Sequence, residues 1–79
     1  MRILNEDEDK KIDNISIFLT HREGNQLLSY LQTILKDPSC HHIHLSSEDY
    51  QKEITLCVYD DKNIQTFDPR TRKLLTEDI

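Results

Sequence analysis

An α+β fold is the class this sequence predicts, and three observations predict it. Leu27, Leu28, Leu31, Ile34 and Leu35 recur at helical spacing. Residues 41–47 and 53–60 alternate between apolar and polar. Asp68-Pro69 opens a second helical segment near the C-terminus. The expected architecture is two-layer: a small antiparallel sheet in β-α-β-β order with one long helix on one face, and a short C-terminal helix.

The elements follow in chain order. Arg2–Leu4 can add a short strand. Residues 5–13, NEDEDKKID, hold one apolar residue among charges, so a flexible acidic loop or arm is expected there. Asn14–Thr20, NISIFLT, reads as a strand, with Ile15, Ile17 and Leu19 on one side and Ser16, Phe18 and Thr20 on the other. Thr20-His-Arg-Glu23 has the form of a capping box and begins the long helix. Gly24 lies on its apolar stripe, at a helix cost of roughly 1 kcal/mol against alanine. Close approach of the helix to the sheet would explain it. Asp37-Pro38 ends the helix, because proline bars the helical region to its predecessor.

HHIHLSS, His41–Ser47, and EITLCVYD, Glu53–Asp60, are the next two strands, joined by the polar loop EDYQK. So short a loop joins antiparallel neighbours. The register follows from burial. Ile43 and Leu45 must share the helix side with Ile54, Leu56 and Val58, and a slip of one residue would send them to solvent. His42 and His44 then fall on the opposite face, near Thr55, Cys57 and Tyr59, and Phe18 joins them from the first strand. The tail NIQTFDPRTRKLLTEDI admits a helix over Pro69–Thr76 or a hairpin turning at DPRT; the N-cap and proline positions favour the helix.

The bulk properties narrow the function. A chain of 79 residues is expected to form one domain. At that size folding buries only roughly 60–65% of the unfolded surface. The hydrophobic fraction is 35%, which makes for a thin core and a benefit from a partner surface. Net charge is −5, and Arg70, Arg72 and Lys73, the only basic cluster, stand among acids. Nucleic-acid binding, which needs a basic stripe, is disfavoured; a basic protein partner suits the charge. No apolar run reaches the roughly 20 residues of a membrane span. The acidic N-terminus lacks an apolar secretory core, so a cytoplasmic location is expected, with Cys40 and Cys57 reduced.

SCHHIHLSSEDY concentrates the chemistry. Three readings compete for it. His42, His44 and Cys57 make a His-x-His pair plus a third soft ligand, a zinc-like set for a metal-binding or metal-sensing domain. Against this, histidines are tolerated on any half-exposed strand face. Cys57 or Cys40 beside a histidine suggests nucleophile and base. A mid-strand cysteine is more often structural, and Gly24, the single glycine, leaves no glycine-rich loop for an oxyanion. The third reading is a non-enzymatic binding face formed by His42, His44, Tyr59 and Phe18, with Glu48 and Asp49 as an acidic rim. Aromatic residues are enriched in interface cores. This reading is preferred, with no cofactor expected. A homodimeric structural protein using the same face or a sheet edge is the remaining alternative.

The strand ISIFLT, the capped helix HREGNQLLSYLQTIL, HHIHLSSEDY and EITLCVYD, in that order, resemble small bacterial immunity proteins of polymorphic toxin systems. The shared pattern is the strand His42-Ile43-His44-Leu45 after the helix. The loop SSEDYQKE departs from it, lacking the glycines and tryptophan found there in that family. The resemblance spans residues 14–60 and implies a non-enzymatic protein that neutralises a cognate toxin by binding it. The acidic charge would speed encounter with a basic toxin.

Overall fold

A computed structural model describes residues 1–37 and 42–79 of the chain. The proline stop at Pro38, and Cys40 and His41 of the histidine stretch, lie outside the described residues. The structure is α+β: two antiparallel sheets of two strands each, and two α-helices. The described residues gather into two compact units, residues 18–59 and residues 1–17 with 60–79.

In the 18–59 unit, α1 (His21–Lys36) begins at the capping box. The Glu23 N–H donates to Thr20 Oγ1 at 3.1 Å, and the Thr20 N–H donates to Glu23 Oε1 at 2.9 Å. Two of the helix's unsatisfied N-terminal donors are thereby answered. β3 (His42–Ser46) pairs antiparallel with β4 (Glu53–Cys57). The register matches the burial argument: Ile43 opposes Leu56 and Leu45 opposes Ile54. Ile43 and Leu45 are buried, as is Ile34 of α1. The seam between α1 and β3 is the apolar centre of this unit.

The structure departs from expectation at three places in or beside this unit. Asn14–Thr20 is not a strand, and Phe18 is 92% exposed. Alternation selects a face but supplies no ladder partner, and among the described residues no strand pairs with this stretch. The helix stripe is only partly used: Leu27 and Leu31 are half-buried, while Leu28 and Leu35 are exposed. Strands stand about 4.8 Å apart, so a sheet of two covers a narrow strip of helix. Gly24 is not a point of close approach, since a Cβ built there meets nothing within 4 Å. β4 also stops at Cys57, so Val58 and Tyr59 lie beyond its end.

In the other unit, β1 (Ile3–Asn5) pairs with β2 (Lys10–Ile12), Ile3 opposite Ile12. The run expected as an acidic arm thus contains a hairpin turn and its second strand. Asn5 Oδ1 organises the turn by accepting from the N–H groups of Asp7 and Glu8 at 3.1 and 3.3 Å. A 3₁₀ turn at Ile64–Thr66 precedes α2 (Pro69–Glu77), which Asp68 and Pro69 begin as the sequence predicts. Leu74 is buried. Charged contacts ring it. Arg70 Nε donates to Asp9 Oδ1 at 2.8 Å and Arg70 Nη1 to the carbonyl of Ile79 at 2.8 Å. Arg2 lies 3.6 Å from Asp78 and donates to the carbonyl of Leu75 at 3.4 Å.

Candidate functional site

The β3–β4 hairpin has one face on α1, and the pleat sets what the other presents. His42 opposes Cys57 and His44 opposes Thr55. His42, His44 and Cys57 are exposed, and Thr55 is half-buried. The two imidazoles meet edge to face with ring centres 5.4 Å apart. His44 Nδ1 lies 2.9 Å from Thr55 Oγ1 and 2.9 Å from Glu53 Oε1. With its proton on Nδ1, the ring donates to the carboxylate and keeps Nε2 as an acceptor toward solvent. The face therefore offers imidazole, hydroxyl, thiol and carboxylate groups within two cross-strand pairs and their neighbour.

The turn after β3 is built by its own polar side chains. The Ser47 hydroxyl donates to Asp49 Oδ1 at 2.6 Å, and the Gln51 N–H donates to the same oxygen at 3.0 Å. These bonds, the Ser47 hydroxyl first, hold the Asp49 carboxyl below its ordinary 3.8. Tyr50 takes φ of 60°, a left-handed conformation unusual for a bulky residue. Glu23 fastens this turn to the helix. Its Oε2 accepts from the Glu48 N–H at 2.8 Å while Oε1 serves the cap. Its carboxyl is held below the ordinary 4.5, first by the Thr20 N–H and next by the Glu48 N–H; desolvation opposes this and is the smaller effect.

A groove of about 290 Å³ opens beside the turn. Arg22, Gln26 and Tyr30 line it from α1, and His44, Glu48 and Tyr50 from the strand and turn. Gln26 Nε2 donates to the Tyr30 hydroxyl at 2.7 Å, and Arg22 Nε stands 3.5 Å from Glu48 Oε1. His44 and Ser46 point away from α1, yet they share this groove with it. The groove must therefore pass along the edge of β3 remote from β4.

Of the predicted site residues, His42, His44 and Cys57 share the open face. Glu48 lines the groove and Asp49 is occupied within the turn. Phe18 is not on the sheet, because its strand does not form, and Tyr59 is half-buried beyond the end of β4. Among the described residues no group of three or more His, Cys, Asp or Glu side chains can hold a metal ion. The zinc set of His42, His44 and Cys57 is thus not assembled, since cross-strand neighbours on a flat pleat splay rather than converge on one point. Arg22, Gln26, Tyr30 and Tyr50 were missed. The spacing of the first three, four residues apart beside an apolar stripe, was the available signal.

No helix among the described residues is long and apolar enough to cross a membrane. Comparison with protein-family models, curated proteins and solved structures finds no match.

Proposed function

We propose that the chain is a small protein-binding module that engages its partner through the open face of the β3–β4 hairpin. The observation that carries this reading is the division of labour in the hairpin. Ile43 and Leu45 are consumed by α1, while His42, His44, Thr55 and Cys57 are left facing outward in register. Glu53 at one end and Glu48 beside the groove supply negative charge, which favours a basic partner and speeds its approach. Tyr30, Tyr50 and Tyr59 flank the face and provide the aromatic groups that interfaces favour. Neutralisation of a basic toxin, the activity implied by the immunity-protein resemblance, is the form of binding we favour.

The test uses the product of the gene adjacent to this one, titrated calorimetrically against the wild type and two variants. His42→Ala/His44→Ala is expected to weaken binding at least tenfold. Asp9→Ala, in the other unit, is expected to leave it unchanged. Equal affinity for all three proteins would remove the face from the interface. No binding by a purified, folded pair would end the toxin reading.

A further inference from the structure

We propose that Asn14–Thr20 is a self-association strand, pairing antiparallel with the same residues of a second copy of this chain. The proposal rests on a mismatch between sequence and structure. NISIFLT is uncharged, without proline or glycine, in a chain whose residues are 32% charged. It alternates as a strand does, and such segments, when exposed, are templates for pairing with another chain. Here the stretch has no ladder partner among the described residues. Ile15 is 55% exposed, Ile17 48% and Phe18 92%.

The occupant follows from the symmetry of the pattern. An antiparallel pair with its two-fold axis through Ile17 sets Ile15 opposite Leu19 and Ile17 opposite its own copy. Asn14 then meets Thr20, and Ser16 meets Phe18. All seven residues pair, apolar side chains on one face and the mixed set on the other. An axis between residues would set odd positions opposite even ones and mix the faces. Shifting the axis to Ser16 or Phe18 draws flanking residues into the ladder and leaves part of the stretch unpaired. The segment is thus self-complementary in the sense an isologous interface requires. A single strand pair is small beside the roughly 1,200–2,000 Å² of a stable interface, so the dimer is a concentration-dependent one. It uses none of the residues assigned to the open face of β3–β4, and the two readings can fail separately.

The experiment is sedimentation velocity over a wide concentration range, with amide exchange read at both ends of it. Wild type is expected to pass from monomer to dimer as concentration rises. Alternate amides of Asn14–Thr20 should gain protection only at the high end. Ile17→Lys sets two ammonium groups against each other at the axis and should raise the dimer dissociation constant at least tenfold. Leu28→Lys, an equally exposed site on α1, should leave it unchanged. A wild type that stays monomeric overturns the proposal, as does an Ile17→Lys protein that dimerises normally. Protection independent of concentration would mean that the strand pairs within its own chain, which also overturns it. Growth past the dimer would replace a closed pair by an open ladder and refute the symmetry. The exchange result stands on wild type alone, so it decides the matter even if Ile17→Lys folds poorly.

Discussion

The two units solve the same problem of a thin core in different ways. Residues 18–59 close an apolar seam: Ile34, Ile43 and Leu45 are buried together, with Glu23 as a carboxylate staple at one end. In residues 1–17 with 60–79, Leu74 is the one buried apolar residue, and it is ringed by arginine contacts. Hydrophobic burial is insensitive to salt of ordinary kinds, whereas exposed ion pairs are screened and contribute little each. The difference teaches where resistance to perturbation should lie. The seam should set stability, and the ring of charges should set how firmly the terminal hairpin is held.

Four changes break or sharpen that contrast. The largest effect is expected from Leu45→Ala, which empties a site only 2% exposed and should cost about 2–5 kcal/mol in chemical denaturation. Arg70→Ala in the other unit should cost about 1 kcal/mol or less. Equal losses would erase the distinction between seam and ring. Thr20→Ala removes the acceptor of the capping box and should cost about 1 kcal/mol. Gly24→Ala works in the opposite direction. With open space at its Cβ, alanine should stabilise the helix by about 0.5–1 kcal/mol, and a loss of stability would mean that something unseen packs there.

The next expectation concerns pH and is a matter of sign. Glu23 is held below its ordinary 4.5 in the folded state. Its contribution is therefore present in full above 4.5 and is lost as pH falls through the lowered value. Melting temperature read from pH 6 down to pH 3 should fall less steeply for Glu23→Gln than for wild type. Parallel curves would show that the carboxylate does not couple to folding. The smallest effect expected is none: zinc added to chelator-treated protein should leave the melting temperature where it was. A saturable rise that His44→Ala abolishes would show that the histidine face rearranges around a metal after all.

Much of the 18–59 unit was legible in the sequence because its signals are local. A capping box needs only Thr20 and Glu23, and the register of β3 on β4 needs only that Ile43 and Leu45 avoid water. The start of α2 at Asp68-Pro69 was readable for the same reason. The failures are those of partner choice. NISIFLT states that it can be a strand but not which edge would receive it. Gly24 states that space exists but not that anything fills it. The hairpin of β1 and β2 was hidden by its charges, since its order depends on Asn5 folding back on Asp7 and Glu8 and on Arg70 arriving from the far end of the chain. Of the candidate site, the pairing of His42 with Cys57 and of His44 with Thr55 was readable; the groove beside it was not, because Tyr50 and Arg22 meet only once the turn has closed.

The bond from Glu48 N–H to Glu23 joins residues 25 apart, while the rest of this unit is held by short-range links. Helix growth and hairpin closure are microsecond events that proceed without knowledge of each other. This bond can form only when both are complete and docked. It is therefore a late event on the folding route, and weakening it should quicken unfolding while leaving the folding rate nearly untouched.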